Sequence, residues 1–507
     1  MRRTRLIAFG LLGLALALRL ALAIGMPNDE PDDGLVYSLL AHNLNVHHIY
    51  SNDEEEPFGA TYVRVPGYPL FLAAVYKLTG DNNNTAVRVL QAVIDTFTCA
   101  VVAAIALVWA PRRWPPGRRR RAGLVALGLA TVCPFVAIYV TTLLTEVLAT
   151  ALGMLLLLTT SLAAVGDRDG TFGRLGRLSP RALWGVTGTV GGVMTLVRPE
   201  SGLYVGAAGL VMLVVSLRTA VSAVDGVTGF LRRAISDGLA LSVPFVLVLT
   251  PWTIRNALVF DTFEPLNPRS LSMPGEFVAW GYADWLRSWI DHPRYVGPIL
   301  FSLDRDPITV DEVPDRAFDS PAERAEVARL FEKYNVPAPD AEVDPATGHV
   351  PPGGMTPELD AAFGAIGRAR AARHPLRQHV VLPLQRAVML WFDPHADYYP
   401  FGGYLFPWNQ IDRDRDQQIW LPLFTGIALV WTIAGWAGVA ILARGRDGWL
   451  WLLLTALVIV PRLALLSSME NPEPRYTMEF FPVVTILAAL ALAWPVTGSA
   501  RPPSPST

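Results

Sequence analysis

Seven charged side chains could share one piece of chemistry. Four are the arginines Arg64, Arg198, Arg255 and Arg475, and three are the carboxylates Asp32, Asp33 and Glu146. They stand in short polar clusters: Asp32-Asp33, Arg64-Val-Pro-Gly-Tyr68-Pro69, Thr145-Glu146, Arg198-Pro199-Glu200, Pro251-Trp-Thr-Ile-Arg255-Asn256 and Glu470-Asn-Pro-Glu-Pro-Arg475-Tyr476. Guanidinium groups bind phosphate oxygens in pairs and stay charged when partly desolvated. A carboxylate beside such a phosphate can take the proton of an attacking hydroxyl. That set suits transfer of a sugar from a lipid phosphate. The leaving phosphate is already an anion, so no acid must protonate it, unlike glycoside hydrolysis with its two carboxyls. Cationic donors then hold the charge that develops on the phosphate. Each residue alone has a plainer reading. An arginine at a span end anchors to headgroups, two adjacent aspartates make a solvated turn, and alternating acids and arginines neutralise one another.

The apolar stretches between the clusters must position them. Of 507 residues, 52% are hydrophobic and 17% charged, and the mean hydropathy is +0.34. This excludes a disordered chain and an ordinary soluble enzyme, whose charged share is about 25%. A bilayer crossing needs about 20 apolar residues. Ten stretches qualify: 5–25, 87–110, 123–142, 143–164, 183–199, 202–217, 238–254, 418–442, 449–467 and 477–495. The first is read as an uncleaved helix. Arg2, Arg3 and Arg5 precede it and Ala21-Leu-Ala23 looks like a cleavage site, but Arg19 interrupts its core. Cys99 and Cys133 both lie in apolar runs, which excludes a disulfide scaffold and a cysteine zinc site. The basic clusters sit between spans, so no nucleic-acid partner is expected.

Lysine and arginine mark cytoplasmic loops. With ten spans, Arg112, Arg113, Arg118 to Arg121, Arg168, Arg174, Arg177, Arg181, Arg218, Arg232, Arg233, Arg444 and Arg446 all fall on one side with the N-terminal arginines. Residues 26–63 hold eight acids and no Lys or Arg. Both termini are therefore expected in the cytoplasm, and segments 26–86 and 256–417 outside. All six polar clusters then lie at the outer face.

The external segments carry their own helix signals. Tyr37, Leu40, Ala41 and Leu44 follow a helical spacing. Pro69 to Thr79 predicts a short apolar helix, able to guide a lipid tail, that lies along the membrane or wedges between spans. Ser320-Pro-Ala-Glu323 predicts a capping box, and Thr356-Pro357 opens a second helix that ends before Pro375. Residues 378–392 predict an interfacial helix rather than an eleventh span. Glu54 to Glu56 read as a solvated run, and His42, His47 and His48 lack a metal-binding spacing.

In this order, the six clusters resemble the GT-C glycosyltransferases, and more narrowly the branch of protein O-mannosyltransferases and lipid A aminoarabinose transferases. The resemblance implies an all-α polytopic membrane protein of about ten transmembrane helices. Residues 1–255 would form the catalytic bundle with its first external loop at 26–86. Residues 256–417 would form an external, mainly helical insertion that matches nothing in the class, and 418–507 the last transmembrane helices and a short tail. It implies an inverting transfer from a polyprenyl-phosphate sugar to an acceptor hydroxyl on a glycan, lipid or protein, at the outer face of the cell membrane. Asp33 matches the catalytic base of the class, with Asp32 an ambiguous neighbour and Glu146 a further acidic candidate. Arg64, Tyr68, Arg198, Arg255, Arg475 and Tyr476 are the candidates for the donor phosphate. Some members use a divalent metal and others do not; no metal ligands and no cofactor are expected here. The alternative is a transporter or lipid flippase, which would be expected to show paired repeats and mid-bilayer breaks. The chain has no internal repeat.

Overall fold

A computed structural model describes residues 2–27, 32–167, 170–268, 272–338, 343, 350–406 and 415–494; the side chain of Asp32 lies outside the described set. Among the described residues the regular elements are helices, without strands. Eight are long and apolar enough to cross a membrane: Arg2–Gly25, Asn84–Trp109, Glu146–Val165, Pro199–Ser222, Gly226–Phe260, Arg415–Ala443, Gly448–Ser467 and Pro474–Leu492. The pair Pro116–Val132 and Pro134–Thr141, bent by 51° at the break, meets the same measure of length and apolarity when taken together. The protein is a multi-pass membrane protein.

The expected third span is therefore a broken one. Pro134 has no N–H to give the carbonyl of Ala130, so the helix stops at Cys133. In an apolar setting a freed carbonyl needs another donor. Arg19 supplies it. Its Nη2 donates to Ala130 O at 3.0 Å and its Nη1 to Thr131 O at 3.1 Å, while its Nε donates to Asp95 at 2.6 Å. Asp95 neutralises the cation, and both side chains are at most 2% exposed. The arginine that interrupts the first span is thus the repair of a proline break in the third.

The expected fifth span corresponds to the helix Pro180–Val197, which falls short of the other spans in apolarity because glycine and threonine occupy much of it. Those small residues serve packing. A Cβ at Gly188 would come within 1.9 Å of the carbonyl of Leu241, so this helix and Gly226–Phe260 touch backbone to backbone. The seventh span is longer than expected and runs six residues beyond 254. At the opposite end of the bundle from the polar clusters, Trp109 and Trp451 stack at 5.6 Å within the main core.

The insertion has a core of its own, built on Trp285, Trp289, Phe331 and Phe363. Its helices are Trp280–Arg287, Pro321–Tyr334, Pro357–Arg373 and Leu382–Phe392. The first and third cross closely: a Cβ at Gly281 would meet Asp360 O at 2.0 Å, and one at Gly367 would meet Trp285 N at 2.7 Å. Ser320 caps its helix by accepting from Glu323 N at 3.1 Å. The Glu323 carboxylate pairs with Arg370 and Arg373, both at 2.8 Å, so only half of the expected capping box forms. The helix in 378–392 is 11 residues long and too short to cross. The Pro/Gly-rich stretch 336–356, expected from its composition to be a loop, lies partly outside the described residues. Buried Arg386 ties the insertion to the bundle, donating to the carbonyls of Ile290 at 2.6 Å, Arg287 at 2.7 Å and Ser467 at 3.4 Å.

Candidate functional site

Four helix ends and two loops bring the clusters together. Asp33 lies in the first turn of Asp32–Val46, where helix N–H groups favour an anion. Tyr37 follows one turn later on the same face. Arg64 is set by the turn after it. Pro66 caps the helix Gly67–Thr79, and a Cβ at Gly67 would come within 2.5 Å of Leu196 O. Only glycine allows that approach, which docks the Arg64 segment against the end of the helix that carries Arg198. Glu146 opens the helix after the bent span. Arg198 sits in extended backbone between Pro180–Val197 and Pro199. Arg475 and Tyr476 belong to a short tight helix that begins at Pro474.

The charges form two layers. In the upper layer the Asp33 carboxylate lies between two guanidiniums: Arg64 Nη2 donates to Oδ1 at 2.7 Å and Arg475 Nη2 to Oδ2 at 2.9 Å. Arg475 also pairs with Glu473. Burial pushes the Asp33 carboxyl up, but the charges of Arg475 and Arg64 outweigh it and hold the group below the ordinary aspartate range. Arg64 keeps a buried Nε–H with no partner among the described residues. The lower layer is drier. Arg198 reaches Glu200 at 3.0 Å, Glu479 at 3.2 Å and Glu146 at 3.3 Å. Arg462 pairs with Glu479 through both nitrogens and lies 3.5 Å from Glu200. Tyr476 lies between the layers, with the guanidiniums of Arg198 and Arg475 each 5.2 Å from its ring centre. Glu146 Oε2 is buried and has no hydrogen-bond partner among the described residues.

Above these layers opens a cavity of about 1180 Å³. Asp33, Arg64, Glu146, Arg198, Arg475 and Tyr476 all line it. Two other candidates do not. Tyr68 is fully buried, donates its hydroxyl to Gln91 at 2.9 Å and packs its ring against Tyr37. Arg255 donates to Thr61 O at 2.7 Å and lies over the rings of Trp252, Phe260 and Tyr50. It holds the first loop against the seventh span; residues 264–268, just beyond that span, reach the cavity instead. Of the histidines, His42 meets Asp81 at 2.6 Å and His47 stacks on Phe58.

Arg462 and Glu479 were missed, although Arg462 stands in the middle of an apolar span, a position that signals a buried partner. The insertion was missed as a cavity wall. Trp280, Asp284, Arg287, Arg368, Gln378 and His379 all line the same cavity. No single-residue pattern marks them, because their common direction arises only when three insertion segments pack together.

The sequence matches no family model and no curated protein. Solved structures do match. The archaeal oligosaccharyltransferase AglB of Archaeoglobus fulgidus, in complex with an inhibitory peptide and a dolichol-phosphate, has a TM-score of 0.40 at 15% identity over 96% of this chain and 50% of that chain. Its apo form gives 0.41 at 12% identity. ArnT of Cupriavidus metallidurans, bound to undecaprenyl phosphate, gives 0.35 at 13% identity over 95% of this chain and 77% of that chain. The chain spans about half the length of the archaeal enzyme. Each of these alignments runs along at least 95% of this chain, at 12–15% identity.

Proposed function

We propose that the protein moves a sugar from a polyprenyl-phosphate donor to an acceptor hydroxyl, with inversion, and that Asp33 is the base. One observation carries the reading: a single carboxylate lies between two arginines at the wall of a cavity large enough for a donor head and an acceptor. Arg64 and Arg475 already grip an anion there. A donor phosphate offers them more oxygens, and bidentate pairing favours it. As the phosphate draws the guanidiniums, Asp33 loses part of its neutralisation and becomes a better proton acceptor. It then takes the acceptor proton as that oxygen attacks the anomeric carbon. The bond from that carbon to the phosphate oxygen breaks on the opposite face. The lipid phosphate leaves with the electron pair, held by Arg64 and Arg475. Glu146 Oε2 can accept from a ligand hydroxyl in the same cavity.

The donor set fits this chemistry without a resident divalent metal. Both oxygens of Asp33 already face guanidiniums, and Arg198 reaches Glu146 and Glu200. The test is transfer of labelled sugar from purified polyprenyl-phosphate donors to an extract of the native envelope, with and without a chelator. Label in an acceptor, unaffected by the chelator, is expected. Movement of labelled lipid across a vesicle without transfer would support the flippase reading instead.

The reading also places the cavity on the outer side of the cell membrane, with both termini cytoplasmic, in line with the arginine bias of the loops. Cysteine placed at the exposed position of Glu55 should react with an impermeant maleimide added to intact cells, and one at Gly117 should not. The native Cys99 and Cys133 are buried and give little background. Labelling at Gly117 alone would reverse the orientation.

A further inference from the structure

The wall of the cavity that faces Asp33 comes from the insertion. Trp280, Asp284 and Arg287 lie at i, i+4 and i+7 of one short helix and all line the cavity, while Tyr282, Trp285 and Leu286 on its other side fill the insertion core. The polar face of this amphipathic helix is therefore turned to the cavity. Gln378 and His379 stand beside it. The wall is fixed in place. Arg287 donates to Glu470 at 2.9 Å and to Asp284 at 2.9 Å, and the loop that carries Glu470 continues to Glu473 and Arg475, which holds Asp33.

We propose that this face is a carbohydrate subsite that binds the sugar chain of the acceptor. The word acceptor rests on the transferase reading; the binding itself does not. A pyranose or furanose has an apolar C–H face and a rim of hydroxyls. Trp280, 46% exposed, brings an aromatic side chain to the cavity wall, which suits the first. Asp284 accepts, Arg287 donates, and Gln378 and His379 do both, which suits the second. The cations here are balanced: Asp284 and Glu470 serve Arg287, and Asp284 lies 4.0 Å from Arg368. A lipid chain would strand these polar groups without partners. An extended peptide would need a sheet edge or side-chain pockets; the described residues contain no strand, and this wall is a helix face. The volume of about 1180 Å³ exceeds the common range for a single small ligand, roughly 300–1,000 Å³, and leaves space for several sugar units beside a donor head.

The experiment uses the full chain in lipid nanodiscs, because maltoside detergents would compete for a sugar site. Neutral tetrasaccharides of manno, gluco and arabino configuration, and a serine-rich octapeptide, are titrated by saturation-transfer NMR without any donor. At least one tetrasaccharide is expected to bind. Trp280→Ala and Asp284→Ala should each weaken it about tenfold or more, with melting temperature unchanged, and Trp280→Phe should keep part of it. Glu55→Gln, at an exposed position of the first loop, should bind the saccharide as wild type does. Binding by none of the tetrasaccharides, binding unchanged in Trp280→Ala and Asp284→Ala, or tighter binding of the octapeptide overturns the subsite. Saccharide binding with no transfer from any polyprenyl-phosphate donor would leave the subsite standing and remove the transferase reading. Transfer without saccharide binding would do the reverse.

Discussion

Asp33→Asn lowers turnover by roughly 10²- to 10⁴-fold, the usual contribution of a general base. The amide keeps the shape, and its one carbonyl oxygen accepts from Arg64 or Arg475 but not from both; both arginines remain to hold a donor phosphate, so the fold and the donor affinity persist. Asp32→Asn keeps most of the activity. The pH profile carries the same expectation with a definite sign. Arg475 and Arg64 hold the Asp33 carboxyl below the ordinary aspartate range, so it stays ionised as the pH falls. The acid limb of kcat/KM for the free enzyme therefore lies below the range of an unperturbed aspartate, about 3.9. Arg64→Gln removes one opposing charge and shifts that limb upward. The linked stability has the same sense. The ion pairs of Asp33 contribute above its unfolded-state pKa, and the contribution is lost as pH falls through the lower folded-state value. Turnover, donor binding and the pH profile of each variant are the measurements. Near-normal turnover in Asp33→Asn rules out the base, and loss only in Asp32→Asn moves it back one residue.

Glu479→Ala destabilises the protein by about 3–5 kcal/mol, the cost of leaving a buried partner charge unpaired. Glu479 is 1% exposed and serves two cations, Arg462 at 0% and Arg198 at 8%. Removing it leaves Arg462 with Glu200 alone, at 3.5 Å. The double change Glu479→Leu with Arg462→Met removes both charges of the inner pair and should recover much of the loss, because an apolar pair of similar volume avoids the desolvation cost. Thermal unfolding in one membrane mimetic reads both variants. A single variant as stable as wild type would mean that water reaches this layer. An equal loss in the double variant would mean that packing, rather than charge, sets the cost.

These two residues also show how much of the molecule was legible beforehand. The helical class, the approximate span positions and the location of polar clusters at span ends could be read directly, because partition between lipid and water acts residue by residue. Arg19 stood out as a charge inside an apolar run by the same logic, whereas Arg462, in the same kind of position, was not picked out. The break at Pro134 was not anticipated, and that Arg19 answers it could not be read, since donor and acceptor lie 111 residues apart.

Within the site, residue type and order selected Asp33, Arg64, Glu146, Arg198, Arg475 and Tyr476 as members of one group, and these six line one cavity. The same reasoning included Tyr68 and Arg255, which turn to Gln91 and to the first loop. A motif states which residues are near one another along the chain and does not state which way a side chain points. Tertiary packing alone decided that Asp33 meets Arg475 across 442 residues, that Arg198 lies in the dry layer with Glu479, and that the insertion turns Trp280 and Asp284 toward the bundle. The reason is physical. Burial and helix periodicity are local properties that each stretch of chain carries by itself. Ion-pair partners and cavity walls depend on the relative position of elements, which only the packing of all the helices determines.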